Sequence, residues 1–380
     1  MKIVYLFPQL AIHAGTERIL IDKMNYLADH YGYEVYALTY EQGHSPLAYP
    51  LSENVIHVDL RVPLWHAYRN NYVKRILFHR NMKKTLFHRF NTFISNVRPD
   101  ILVVTPYHEE ILEMAKNSPH SMVRVVESHI NKRFSVDKDP RNERFSLHRI
   151  SAWIKMRHIE KLISCFDCMV VLNQGDADDW SKYIRTKLIY NMVHLNKGDV
   201  SNLENRKVIF VGRYSKQKGI PDLFRVWELV YHRHPDWQLN LYGGMGEDYD
   251  YALAEAERLQ MNIYVNAETT EIFSKYRESS IFVLTSIYEP FGLVLPEAMS
   301  CGLPVVSFDC PYGPANIISD GIDGFLIKNR DVNAFADRVC RLIEDTKLRQ
   351  QIGRAAITSS QRYAADMIMP EWKVLFESLI

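Results

Sequence analysis

Three stretches of the chain hold glycine and charged residues at spacings that could bind and transfer a charged group. The first, Val211-Gly212-Arg213-Tyr-Ser-Lys216-Gln-Lys218-Gly219, confines three cations to a glycine-flanked loop. A diphosphate needs such a loop, since a guanidinium can make two parallel hydrogen bonds and an ammonium supplies a compact charge. A solvated basic loop is the alternative. The second sets Glu289 and Glu297 eight residues apart, across a Pro-Phe-Gly turn and the start of a helix that Gly302 would cap. Glu297 is embedded in the apolar run Leu-Val-Leu-Pro-Glu-Ala-Met, so a carboxylate there would accept hydrogen bonds from hydroxyls rather than sit solvated. The third, Ala14-Gly15-Thr16-Glu17-Arg18, opens a helix soon after the first apolar run, where backbone N–H groups could face a phosphate or oxyanion. It lacks the G-x-G-x-x-G spacing, so a turn glycine reads equally well.

Other chemistry-bearing residues carry weaker signals. Three D-x-D triplets, Asp137-Lys-Asp139, Asp176-Ala-Asp178 and Asp248-Tyr-Asp250, could in principle hold a divalent metal. None ends a clear strand in a nucleotide-binding context, and Arg213 with Lys218 already supply positive charge, so all three read as surface or helix-start carboxylates and no metal is expected. Five cysteines are too few and too irregular for a disulfide framework; Cys165-Phe-Asp-Cys168 lacks the second pair a zinc site needs and leads into an apolar strand. His129, in Val-Val-Glu127-Ser-His129, follows a strand; a lone His there is ordinarily a packed residue, but strand ends are where this class of sheet collects its ligands.

The elements that must position these residues are legible as alternation. Short β-branched runs (Ile3–Phe7, Val35–Leu38, Ile101–Val104, Val123–Val126, Met169–Leu172, Leu188–Tyr190) are separated by helical stretches, and the pattern restarts after Lys207 (Val208–Val211, Leu239–Tyr242, Ile263–Val265, Ile281–Leu284, Val305–Phe308, Phe325–Ile327). This predicts an α/β chain of two doubly wound, Rossmann-like parallel-sheet domains. The expected division is 1–195, a linker at 196–206, and 207–361, with a C-terminal helix at 362–380 returning to the first domain. A ligand site in the cleft between the two follows from that class of fold. With 380 residues, 47% hydrophobic and 24% charged, the chain excludes disordered and fibrous classes. The apolar N-terminus, broken by Pro8 and Gln9, reads as a buried strand rather than a signal peptide, and no run of 18 apolar residues exists.

The formal charge of +1 argues against a uniformly basic nucleic-acid binder, yet it hides an asymmetry. Residues 61–98 hold nine Lys and Arg and no Asp or Glu, so the rest of the chain carries 37 (46 − 9) basic against 45 acidic residues. Aromatic and aliphatic residues interleave with these cations, from Trp65 and Tyr68 to Leu86, Phe87, Phe90 and Phe93. Such a helix suits an anionic membrane surface, with Lys74, Arg75, Lys83 and Lys84 facing headgroups. The alternatives are nucleic acid, and a solvated helix whose apolar face joins the first-domain core.

The stretch from Val208 to Leu326 resembles the nucleotide-sugar-binding half of the retaining glycosyltransferases of family 4, of bacterial surface-polysaccharide type, which have the GT-B fold. Three motifs carry the resemblance: V-G-R-x-x-x-x-K-G at Val211–Gly219, E-x7-E at Glu289–Glu297 followed by A-M-S-C-G-L-P-V-V, and G-P-x-x-I-I-x-D-G-x-x-G at Gly313–Gly324. The likeness implies that Arg213 and Lys218 hold the donor diphosphate, Glu297 the ribose hydroxyls and Glu289 the donor sugar. It further implies that Phe291, Gly292 and Leu293 shape the pocket with backbone N–H groups, that Gly15 and Thr16 meet the diphosphate, and that His129 sits beside the reacting sugar. Asn316 stands where relatives usually carry Glu.

The function implied is a metal-independent hexosyltransferase without cofactor, moving a hexose or N-acetylhexosamine from a UDP-sugar to a saccharide acceptor, lipid-linked, at the cytoplasmic face of a membrane, with no nucleic-acid partner. Competing readings are a nucleotide-sugar epimerase or phosphorylase of the same fold, and a basic scaffold protein acting through residues 61–98.

Overall fold

The apolar runs of the first half become strands because they can be buried on both faces of a sheet. In β1 (Lys2–Phe7), Ile3, Val4, Tyr5 and Leu6 are fully buried, as a central parallel strand requires. The computed structural model describes residues 1–64, 72–106, 108–132 and 147–380, with the backbone alone for 72–77, 79 and 147–150. The chain divides into two compact units, Met1–Tyr190 with Met369–Ile380, and Asn191–Ile368.

In unit 1, β1 joins β2 (Glu34–Thr39), β3 (Val55–Asp59), β4 (Ile101–Val104), β5 (Val123–Glu127), β6 (Cys168–Val171) and β7 (Thr186–Leu188) in an all-parallel sheet of order β3-β2-β1-β4-β5-β6-β7. Two elements differ from the sequence expectation. The strand β3 was not anticipated, because Val-Ile-His-Val-Asp at a sheet edge leaves Ile56 exposed and breaks the apolar run. The last strand is Thr186–Leu188 rather than Leu188–Tyr190.

The connecting helices of unit 1 are α1 (Gly15–Tyr31), α2 (Tyr72–Val97), α3 (Glu109–Lys116), α4 (Leu147–Ile163) and α5 (Gln174–Trp180). In α2, Leu86, Phe90 and Ile94, four residues apart and so on one face, are fully buried in the core, with Phe87 and Phe93 packed against it. This corrects the expectation that these apolar side chains interleave with headgroups: from Leu86 onward they stabilise the unit, each buried side chain by about 1.5–3 kcal/mol. Of the four cations assigned to the membrane face, Lys83 is paired with Glu113, and Lys84 is exposed. The side chains of Lys74 and Arg75, like Trp65 and Tyr68, lie outside the described residues.

Unit 2 repeats the plan. Its strands, β8 (Lys207–Val211), β9 (Gln238–Gly243), β10 (Ile263–Ala267), β11 (Ile281–Leu284), β12 (Val305–Asp309) and β13 (Gly324–Lys328), are parallel in the order β10-β9-β8-β11-β12-β13. The helices are α6 (Ile220–Arg233), α7 (Tyr249–Leu259), α8 (Ile272–Arg277), α9 (Val294–Ser300), α10 (Gly313–Ile317), α11 (Val332–Glu344) and α12 (Thr346–Ser360). A last helix, α13 (Ala365–Leu379), starts in unit 2 and belongs to unit 1 from Met369 on. Residues 196–206 lie within unit 2, where Leu203 is buried and the Ser201 hydroxyl donates to the Ser279 carbonyl at 2.6 Å.

In both sheets the strand order reverses, between β1 and β4 and again between β8 and β11. Chains leaving the carboxyl ends of such neighbours run in opposite directions and open a crevice. Among the described residues, no helix is long and apolar enough to cross a membrane.

Candidate functional site

The loops leaving β8 and β11 carry the two most charged motifs, and the reversal of strand order makes them neighbours. After β8, Gly212 to Lys218 runs through a single turn of 3-10 helix, and Gly219 starts α6 with φ +65°. A Cβ there would lie 2.3 Å from the Thr285 carbonyl oxygen at the end of β11, so only glycine permits both the left-handed turn and the approach of the two loops. Thr285 reciprocates, its hydroxyl donating to the carbonyl of Lys218 at 3.1 Å.

This contact brings Lys218 to Glu289. Their Nζ and Oε1 are 2.5 Å apart, and the same oxygen accepts from the Ser286 hydroxyl at 2.7 Å. Glu289 is only 4% exposed, so its charge is held by these donors rather than by water. Arg213, by contrast, is exposed and has no ion-pair or hydrogen-bond partner among the described residues. One cation is thus pre-positioned against a carboxylate, while the other is available to an anion.

The loop that bears Glu289 is fixed from several sides. Arg330 donates to the carbonyls of Thr285 and Ser286 at 3.0 and 3.2 Å, pairs with Asp222 at the start of α6, and lies 4.5 Å from the Phe308 ring centroid. Phe291 is buried edge-on against Tyr363, with ring centroids 5.3 Å apart. Its side chain therefore anchors the turn by packing. Gly292 follows with φ +96°, and Leu293 is the N-cap of α9. Asn316 turns its amide onto the Tyr312 carbonyl, and its own carbonyl accepts from the Tyr363 hydroxyl at 2.9 Å. Its side chain thus serves the turn that begins α10.

Glu297, in α9, is 5% exposed, and Tyr276 donates to its Oε2 at 3.3 Å. A buried carboxylate with an aromatic hydroxyl partner suits a hydroxyl-binding role. No local pattern singled out Ser286, Tyr276 or Arg330, because their roles depend on which strands are adjacent.

In unit 1, Gly15 and Thr16 open α1 behind Ala14, whose extended backbone (φ −137°, ψ 162°) supplies no side-chain cap to the first N–H groups. His129, two residues beyond β5, is buried, and its Nε2 lies 3.0 Å from Glu127 Oε1. That oxygen is also paired with Lys23 of α1, and Lys23 Nζ lies 3.7 Å from the centroid of the Trp372 ring. Burial alone would raise the Glu127 carboxyl, but Lys23 and His129 overcome it and hold the group at about 2. Burial pulls the Lys23 ammonium down, against the attraction of Glu127.

The remaining candidates have structural surroundings. Asp176 donates its backbone N–H to Asn173, the N-cap of α5, and its carboxylate accepts from the Asn173 amide at 2.9 Å and the Lys132 backbone N–H at 3.0 Å; Asp248 and Asp250 stand at the start of α7; Asp137 and Asp139 lie outside the described residues. Among the described residues no three His, Cys, Asp or Glu side chains group closely enough to hold a metal. All five cysteines are free, and burial pushes the Cys301 thiol to about 12 and Cys340 to about 11, away from thiolate chemistry.

Residues 196–359 match the family Glycosyl transferases group 1. The chain is 28% identical over 216 residues to an uncharacterized glycosyltransferase of Haemophilus influenzae, a match spanning 56% of this chain and 61% of that protein. It is 24% identical over 388 residues to the amylovoran biosynthesis glycosyltransferase AmsD of Erwinia amylovora, covering 98% of each. Among solved structures, S. aureus TarM in complex with fondaparinux, alpha-GlcNAc-glycerol and UDP superposes with a TM-score of 0.76 over 99% of both chains at 16% identity, a likeness of fold. Residues 196–359 are therefore similar to the glycosyl transferases group 1 family, within a chain of two Rossmann-like parallel-sheet units whose fold is like that of solved glycosyltransferases.

Proposed function

We propose that the protein is a retaining glycosyltransferase of family 4 type, moving a hexose or N-acetylhexosamine from a UDP-sugar to a lipid-linked saccharide in bacterial surface-polysaccharide assembly. The observation that carries this reading is the convergence of Lys218, Glu289 and Ser286 from two loops flanking the β8/β11 switch point, beside the exposed Arg213. UDP in the TarM complex and the polysaccharide role in the name of AmsD support the donor and the pathway class.

Each residue then has a task. Arg213 and Lys218 neutralise the diphosphate as charge develops on the leaving oxygen. Glu297 accepts the ribose hydroxyls, and Glu289, with Phe291, Gly292 and Leu293, positions the sugar. Gly15 and Thr16 offer the open N-terminus of α1 to the diphosphate, and His129 acts beside the reacting sugar. The acceptor oxygen bonds to the anomeric carbon as the bond from that carbon to phosphate oxygen breaks, and the acceptor proton passes to the departing phosphate. The new bond forms on the face the phosphate leaves, so configuration is retained.

Screening UDP-sugars for release of UDP tests this reading; one or more should be hydrolysed slowly without acceptor, whereas conversion of the sugar with no UDP released would point away from transfer. Because the cations do the work of a metal, EDTA should leave the rate within about twofold. Strict dependence on a divalent ion would contradict the proposal.

We further propose that the basic segment 61–98 holds the protein at the inner face of an anionic membrane. Each cation near such a surface is worth about 1 kcal/mol, so reversing Lys74, Arg75, Lys83 and Lys84 to Glu should abolish sedimentation with phosphatidylserine vesicles while UDP binding persists. Unchanged sedimentation would leave α2 as ordinary helix surface.

A further inference from the structure

The apolar face of α1 is interrupted by one charge. Ile19, Leu20, Met24 and Leu27 are buried as an amphipathic helix requires, but so is Lys23, at 2% exposure, and its partner Glu127 at 1% is the last residue of β5. Burying two opposite charges is often no better for stability than two apolar side chains of the same size, because the desolvation cost offsets their attraction. A packing role alone therefore gives no reason for the pair, and its location suggests one: the carboxylate oxygen that holds Lys23 also faces the His129 imidazole.

We propose that Lys23 and Glu127 are positioning residues that orient His129 and fix its tautomer for sugar transfer, an inference that rests on the role assigned to His129 above. Lys23 pins Glu127 Oε1 and keeps the carboxylate ionised. Glu127 Oε1 stands 3.0 Å from His129 Nε2, and the negative charge at that distance favours a proton on Nε2, which leaves the ring's lone pair on Nδ1. Around the carboxylate the charged and titratable groups are Lys23 from α1, His129 from the loop after β5 and Tyr5 from β1. The Tyr5 hydroxyl is buried without a partner among the described residues, and both burial and Glu127 hold it protonated. The Trp372 ring closes the far side of the ammonium, 3.7 Å from its nitrogen, so water does not compete for Lys23. A carboxylate held in this way fixes an imidazole without itself contacting substrate.

Long-range proton–nitrogen NMR of the ¹⁵N-histidine-labelled full chain tests this, with the His129 signals identified by their loss in His129→Gln. The wild type should show a proton on Nε2 that exchanges slowly with water. Lys23→Met/Glu127→Met, which removes both charges together and so leaves no buried ion unpaired, should lose that signal. With the UDP-sugar selected by the screen above, it should drop kcat at least tenfold while KM stays within twofold. A wild-type proton on Nδ1, an Nε2 signal that persists in the double variant, or an unchanged kcat would overturn the proposal. A wild-type protein with the Nε2 signal in place but no UDP binding would instead count against the function proposed above and leave the pair standing.

Discussion

Lys218→Ala is expected to lower kcat/KM for the UDP-sugar by about two to three orders of magnitude, the usual effect of removing one donor aimed at developing charge. The loss has two sources that separate experimentally. One is the missing cation at the diphosphate. The other is Glu289, which is 4% exposed and would keep only the Ser286 hydroxyl of its two donors to Oε1. An undercompensated buried charge costs about 1–3 kcal/mol, so the variant should also melt at lower temperature. Glu289→Gln removes the carboxylate charge but keeps an acceptor for Ser286 and frees Lys218, so it should melt near the wild type and retain UDP affinity while losing turnover. Melting curves with and without UDP distinguish them: saturating UDP at 100 Kd adds about 2.7 kcal/mol to a protein that binds it. That gain should vanish in Lys218→Ala and persist in Glu289→Gln.

Gly313→Ala should disable the same loop without touching a charge. A Cβ at residue 313 would lie 2.3 Å from the Phe291 carbonyl oxygen and 2.8 Å from that of Glu289, and its own N–H donates to the Glu289 carbonyl at 2.8 Å. These obstacles are backbone atoms, which cannot swing aside as a flexible side chain would, so the turn from Glu289 to Leu293 must move. Strain of this kind costs about 1–3 kcal/mol. Urea unfolding should report that loss together with at least tenfold weaker UDP binding. Gly198→Ala is the control, since its Cβ would meet nothing closer than 3.8 Å; a change within about 0.5 kcal/mol is expected there.

Much of this arrangement is legible in the residues, for identifiable reasons. Strands such as β1, β4 and β8 are buried on both faces, so their apolar runs are continuous and stand out. Loop glycines and cations at 212–219 and carboxylates at 289 and 297 advertise an anion and hydroxyl site by type alone. The pairing of Lys218 with Glu289 across 71 residues was not legible, because it depends on β11 lying beside β8, a fact of topology rather than of spacing. For the same reason Lys23 reads as an ordinary surface charge until Glu127, 104 residues away, is brought against it. In α2, apolar side chains at helical spacing suit a bilayer and a protein core equally well, and only the packing of Leu86, Phe90 and Ile94 decides that these face the core.

The central claim is that unit 2 binds a nucleoside diphosphate through Arg213, Lys218 and Glu297. Isothermal titration calorimetry of UDP in the presence of EDTA tests it most directly, on the wild type and on Arg213→Ala and Glu297→Ala. The account predicts one UDP per chain for the wild type and at least tenfold weaker binding in each variant. No binding to the wild type, or undiminished affinity in both variants, would contradict it.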